Sequence, residues 1–312
     1  PLFDSDLPSR ATLRTLSAEK EKLIIKNSIS PLPLHKTLEL IDAINDSPAS
    51  NDIKKCELLA VAKSLVNGIS NLYFGPEVGV RKPKADAPVL SIWLNNMLAM
   101  SKDIKALKRY SKTDATVINS DARNASDVLA DRKVDIVITS PPYPNEKDYT
   151  RTTRLESVLL GFINTKDDLR LQKKSLLRSN TRGVYKTDDD DADINDPEIN
   201  SICEEIESKR IKLGKTSGFE RMYARVTKLY FGGMKRHFVS LSASLNPGAM
   251  LAYVVGDQAS YLQTMIRTGQ ILSRIAETVG YKARGIDLFR KRIATATGQE
   301  LREEVILLEW RG

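Results

Sequence analysis

The chain has 312 residues, 41% of them hydrophobic and 28% charged, enough to bury one large core or two modest ones. No apolar run approaches the ~20 residues of a membrane span, and no signal-peptide pattern is read, so the sequence predicts no membrane partner and a place in the reducing cytoplasm. Two isolated cysteines and two histidines predict neither a disulfide framework nor a metal site, and a net charge of +8 points weakly toward nucleic acid.

The first third reads as helical. Apolar residues recur at helical spacing over 18–28, 35–45, 55–72 and 89–110, the last carrying Trp93, Leu94, Met97, Leu98 and Met100. Residues 75–88 form a Gly/Pro/Lys stretch. Gly75 and Gly79 invite a cofactor-loop reading, but no buried strand precedes them, and a connecting loop is the simpler expectation. Its Arg81, Lys82 and Lys84 are candidate phosphate contacts.

From about residue 113 the pattern alternates. Residues 116–123 read as a short strand ending at Asp121, 126–132 as a short helix, and 134–139 as a β-branched buried strand. An insertion follows over 148–218. Its run Asp188-Asp189-Asp190-Asp191 is read most simply as a solvated, mobile loop. Residues 220–245 are amphipathic, with Gly232-Gly233 expected to bend or break the helix. Asn246-Pro247-Gly248 reads as a turn into a strand at 250–257. A helix over 262–279 closed by Gly280 comes next, then two strands at 284–289 and 304–310. The expected division is a helical region, 1–112, able to contact DNA or a partner, and an α/β domain, 113–312, with 148–218 as a candidate recognition region.

The most informative stretch is Val134-Asp135-Ile136-Val137-Ile138-Thr139-Ser140-Pro141-Pro142-Tyr143. Two consecutive prolines cannot continue a ladder, since neither has an N–H and each fixes φ. The corner therefore sits at the carboxyl end of a strand, where open α/β sheets place their ligands. Ser140 offers an acceptor, the prolines hold rigid carbonyls, and Tyr143 adds a flat aromatic face. Together they suit a planar substrate with an exocyclic amino group. The bland alternative is a strand ending in a Pro-Pro turn with a tyrosine packed on it.

The run TSPPYPNEKDYTRTTRLE resembles the motif of DNA amino-methyltransferases, which methylate cytosine-N4 or adenine-N6. That resemblance implies a Rossmann-like methyltransferase sheet with strand order 3-2-1-4-5-7-6, and S-adenosyl-L-methionine as cofactor. The strand ending at Asp121 would be the third, that before Ser140 the fourth, that at Val254 the fifth, and the final hairpin the sixth and seventh. Strands one and two are not found, nor is any Phe-x-Gly-x-Gly loop for the methionine end of the cofactor. The first residues resemble sequence downstream of that loop. The expectation is that a second polypeptide or an upstream segment supplies it; Pro1 is compatible with either.

The resemblance also implies the chemistry. Ser140 and the Pro141 carbonyl would accept both protons of the amino group and draw its nitrogen toward tetrahedral geometry, with Pro142 fixing the corner. Tyr143 would stack on a base flipped out of double-stranded DNA. Asp121 and Ser140 would face the cofactor, Asp121 accepting from its adenine amino group; the alternative for Asp121 is a helix N-cap. Asn145, Lys147, Tyr149, Arg151, Arg154, Arg290, Lys291 and Arg292 are candidate DNA contacts, against solvated surface positions. For Glu156 an intrahelical ion pair with Arg151 or Arg154 is the simpler use. Serine at the first motif position favours cytosine-N4 over adenine-N6. The expected function is thus a DNA methyltransferase of a restriction-modification or related system. The alternatives are a non-catalytic DNA-binding or specificity subunit, or an RNA methyltransferase.

Overall fold

The structure is a computed structural model that describes residues 13–75, 77–192, 194–294 and 298–312. The expectation drawn from the first twelve residues, and the middle of the final hairpin's turn, lie outside them. The chain divides into two units, one of residues up to 116 with 149–172, the other of 117–148 with 173–312. Residues 148–218, read above as one insertion, are thus shared between the units.

The first unit is built on helices Pro31–Asp46, Asn51–Ser64, Val89–Leu107 and Arg154–Leu159. Pro31 opens the first of these, where its lack of an N–H costs nothing. Leu40, Ile41, Ile44, Val61, Leu65, Ile69, Val89, Leu155 and Leu159 form the core. Val89–Leu107 packs through Trp93, whose Nε1 donates to the Glu57 carbonyl (3.1 Å), and Asn96, which donates to Ser64 Oγ (2.8 Å). The Gly/Pro/Lys stretch is partly a hairpin of β1 (Leu72–Phe74) and β2 (Val78–Val80). Gly79 lies opposite Tyr73, whose ring occupies the space a Cβ would fill, so this glycine admits an aromatic ring rather than a phosphate. Lys84 donates to the Gly68 and Ser70 carbonyls, and Arg81 lies over the Tyr73 ring.

The second unit is a mixed four-stranded sheet of β3 (Val134–Thr139), β4 (Leu245–Gly256), β5 (Tyr281–Ile293) and β6 (Glu300–Trp310) in the order β3-β4-β6-β5. β3 is parallel to β4, and the other pairings are antiparallel. Asn246-Pro247-Gly248 is not a turn before the strand. It lies in a bulge of β4 between the pairs Val134–Leu245 and Ile136–Met250. One face packs Leu251, Tyr253, Val255, Ile306 and Leu308 against helices Tyr223–Ser242 and Thr268–Val279. The second helix starts later than its apolar pattern suggested, because an antiparallel bridge between Gln258 and Ile266 occupies the approach. Gly280 closes it at φ 110°, the left-handed cap that glycine tolerates.

β3 is an edge strand, and Ile136 and Ile138 on it are 68% and 78% exposed. The segment ending at Asp121 forms no strand among the described residues, and Val117 is 98% exposed. A single extended segment with no neighbouring ladder has nothing to pair with, which is why its β-like pattern yields no strand here.

The acidic tract is the largest departure from expectation. Arg178 holds Asp188 through two bonds of 2.8 Å, with both side chains buried. Arg236 pairs with Asp189 (2.7 Å) and Asp190 (2.8 Å), Arg123 with Asp190 (2.6 Å), and Arg225 with Asp191 (3.5 Å). Asp190 is 1% exposed. The tract is a clamped segment, not a solvated loop. Gly232-Gly233 does not break the helix Tyr223–Ser242 either; a Cβ on Gly232 would stand 1.7 Å from the Asp190 carbonyl oxygen. The glycines let the tract's backbone lie on the helix.

His237, on the same helix, is enclosed between the Ala122 carbonyl (2.8 Å) and the Tyr253 hydroxyl (2.7 Å). Burial pushes its imidazole below the ordinary histidine value, against the raising effect of Ala122 and Asp121. As pH falls through the ordinary range, about 6.5, the unfolded chain takes up a proton that the folded one resists. Stability from this site is therefore full above that pH and declines below it. A melting series should show the midpoint dropping below about pH 6.5, and His237→Gln should flatten that limb. An unchanged limb in the variant would remove His237 as its source.

Candidate active site

The corner begins where β3 ends, beside the carboxyl end of its parallel neighbour β4. The Ser140 hydroxyl donates to the Val254 carbonyl at 3.1 Å. Its proton is thereby directed into the sheet, and its lone pairs remain as acceptors. Ser140 is exposed, while Pro141, Pro142 and Tyr143 are half-buried. The backbone beyond is tied down: the Asn145 and Glu146 N–H groups donate to the Ser179 carbonyl (3.2 Å each). Glu146 accepts from the Thr181 N–H (2.9 Å) and hydroxyl (2.8 Å), and buried Tyr261 also donates to the Ser179 carbonyl (3.1 Å). Asn145 accepts from the Lys147 N–H (3.3 Å) in a local turn, and Lys147 is exposed.

The hairpin cations sit in carboxylate company. Arg290 donates to Glu303 through Nε and a terminal nitrogen, Arg292 lies 3.5 Å from the same carboxylate, and Lys291 pairs with Glu300 (3.1 Å). The Arg290 hydrogen bond, against the opposing effect of burial, holds the Glu303 carboxyl below its ordinary pKa, with charge help from Arg290, Arg292 and Lys147. Glu303 faces Gly256 across the β4–β6 ladder. Sequence reasoning passed over Glu303 and Gly256. Alternation along β6 puts Glu303 on the face opposite Ile306 and Leu308, so no local pattern marks it.

Tyr149, Arg151 and Arg154 belong to the first unit. Arg154 donates to the Thr150 carbonyl (2.9 Å) and hydroxyl (2.9 Å) and to the Leu23 carbonyl (3.2 Å). The expected ion pair of Glu156 does not form: among the described residues none joins it to Arg151 or Arg154. Helix Tyr149–Thr152 stops before Arg154–Leu159 begins, so the register that would align the charges is interrupted. Glu156 Oε2 and Arg151 Nε are each buried without a hydrogen-bond partner, and burial pushes the Glu156 carboxyl above its ordinary pKa.

Asp121 caps the turn Ala122–Asn124 by accepting from the Arg123 N–H (2.9 Å), and the Arg123 guanidinium covers both its oxygens. It occupies the N-cap position named as its alternative. With those acceptor sites taken, Asp121 does not fit an adenine amino group as it stands. No His/Cys/Asp/Glu group among the described residues is arranged to hold a metal ion, and no helix among them is long and apolar enough to cross a membrane.

No family model matches the chain. It is 29% identical over 223 residues to the type II methyltransferase M.BsoBI of Geobacillus stearothermophilus, covering 66% of this chain and 43% of that protein. It is 33% identical over 159 residues to the type II methyltransferase M.AvaI of Nostoc sp. and of Anabaena variabilis, covering 49% of this chain and 32% of each. A crystal structure of a proposed DNA modification methylase from Thermus thermophilus matches at 14% identity and a TM-score of 0.30, covering 62% of this chain and 51% of that one. The chain spans less than half the length of these curated relatives. Over 66% of its residues it is similar to a type II methyltransferase, in keeping with the resemblance carried by the Ser-Pro-Pro-Tyr corner.

Proposed function

We propose that this chain carries the base-holding corner of an S-adenosyl-L-methionine-dependent DNA methyltransferase acting on the exocyclic amino group of a flipped base, with cytosine-N4 favoured over adenine-N6. The observation that carries this reading is the Ser140 hydroxyl anchored on the Val254 carbonyl at the ends of two parallel strands. An aromatic amino nitrogen is a poor nucleophile because its lone pair is delocalised into the ring. Acceptors fixed at Ser140 Oγ and the Pro141 carbonyl would hold both amino protons and favour the pyramidal nitrogen whose lone pair is available. Such preorganised contacts act by positioning and electrostatics.

The strand order β3-β4-β6-β5 supports a Rossmann-like reading, since it equals the 4-5-7-6 portion of the sheet implied by the resemblance. Asp121 is committed to Arg123, and no glycine-rich strand-to-helix loop is found among the described residues, which supports a cofactor pocket completed from outside them. S-adenosyl-L-methionine would supply the methyl group, and a partner segment would hold it. The exposed edge of β3, with Ile136 and Ile138 outward, supports such a partner, because an unpaired apolar edge is a ready template for another strand.

The test supplies labelled cofactor and duplex DNA to the chain, with and without the upstream segment of a curated relative, and identifies the methylated base by mass spectrometry of the digested product. Methylcytosine at N4, dependent on the added segment, is the expected result. Methyladenine would overturn the base preference. DNA binding without transfer under every condition would favour the non-catalytic subunit, and transfer to RNA in preference to DNA would favour the RNA enzyme.

A further inference from the structure

Resting on the reading of Ser140–Tyr143 as a base-holding corner, we infer that Gly256 and the Arg290–Glu303 pair form a seat that sets the plane of the Tyr143 ring, and so act as positioning residues. A Cβ placed on Gly256 would stand 3.1 Å from Tyr143 Cε2, 3.5 Å from Cδ2 and 3.4 Å from Glu303 Cγ. The ring therefore rests on bare strand backbone, with a carboxylate stem against the same spot. Gly256 is not among the residues with positive φ, so the backbone does not demand glycine there. A Cβ there would instead press on the ring, which would have to give by a few tenths of an ångström.

Glu303 is buried and directly across the ladder from Gly256, which fixes where its carboxylate lies. A register shift between Leu288 and Arg290 in the β5–β6 pairing brings Arg290 opposite Glu303. Bulges of this kind re-aim side chains beside functional sites. Arg290 thus clamps Glu303 from the far strand, and the hydrogen bond and charge of Glu303 raise the Arg290 guanidinium above its ordinary value. The geometry assigns Arg290 to the corner's support rather than to a backbone phosphate. Lys291, paired with exposed Glu300 among the described residues, is not assigned to the seat.

A ring that stacks on an extruded base contributes through its orientation, and displacement by about 1 Å can cost on the order of 100-fold in rate. The experiment places 3-fluorotyrosine at position 143 of the full chain and records its fluorine resonance in the wild type, Gly256→Ala, Glu303→Gln and the control Gly285→Ala, whose added Cβ would meet nothing within 4 Å. The first two should shift or broaden the resonance, and the control should not. With the partner segment, the same two variants should lower kcat on a duplex carrying the natural target base about 10- to 100-fold, with KM for DNA moved much less, and should lower the fluorescence rise of extrusion on a second duplex carrying 2-aminopurine in place of that base. An unmoved resonance in both variants overturns the seat. A moved resonance with unchanged kcat and extrusion overturns the positioning role. If the wild type neither extrudes nor methylates a base, the functional reading fails instead, and the resonance, which needs no DNA, tells the two failures apart. Glu303→Gln keeps the test open should Gly256→Ala fail to fold.

Discussion

Ser140→Ala is expected to reduce methyl transfer roughly 100-fold or more while leaving melting temperature and far-ultraviolet circular dichroism unchanged. Tyr143→Ala should abolish measurable transfer. Ser140 is exposed and gives one hydrogen bond, to the Val254 carbonyl, a group already part of the β3–β4 edge. Its removal leaves no cavity and no buried donor, so the fold has little to lose. The reaction loses an acceptor whose direction is set by that bond. Losses of this size follow deletion of one preorganised partner at a reacting centre. The measurement is single-turnover transfer with the cofactor-holding segment present. Turnover near the wild-type rate by a folded Ser140→Ala variant would sink the mechanism, and a Tyr143→Ala protein that melts well below the wild type would make that residue structural.

The parts of the fold that were legible in the sequence are those decided locally. The β-branched run Ile136-Val137-Ile138 and its Pro-Pro stop mark a strand and its end, although the strand expected to be buried is an edge strand with Ile136 and Ile138 exposed. Gly280 marks a helix end, and Trp93 sits in a helix as its periodicity suggests. The largest departures are decided by distant partners, whereas the missing Glu156 pair follows from a local helix break. Thr116–Asp121 has the composition of a strand but no ladder to join. Asp188–Asp191 looks solvated because the arginines that clamp it, Arg123, Arg178, Arg225 and Arg236, are scattered over more than a hundred positions. Gly232-Gly233 reads as a helix breaker only while the segment lying on it is unknown. At the site the same division holds. The proposed corner, Ser140 through Tyr143, is marked by residue type and spacing, whereas the inferred seat of Gly256 and Glu303 would depend on a cross-strand register that no local pattern contains.

Gly232→Ala should destabilise the sheet-bearing unit by about 3 kcal/mol or more, at the upper end of what overpacking costs. The added methyl would stand 1.7 Å from the Asp190 carbonyl oxygen and 2.6 Å from its carbon, and both are backbone atoms that no rotamer change can move. Relief requires lifting the tract off the helix Tyr223–Ser242. Asp190 is 1% exposed and held by Arg123 and Arg236, so lifting it also strains or exposes two charge-assisted pairs. Alanine is the better helix former, and on an exposed helix the same change would stabilise by up to about 1 kcal/mol. The sign of the effect thus separates a glycine kept for close approach from one merely tolerated. Urea titration with paired measurements on Gly233→Ala decides it, since that methyl would meet the movable Leu177 side chain at 2.5 Å and should cost less. A neutral or stabilising Gly232→Ala would mean that the acidic tract does not lie on this helix in solution, and its five ion pairs with four arginines would fall with it.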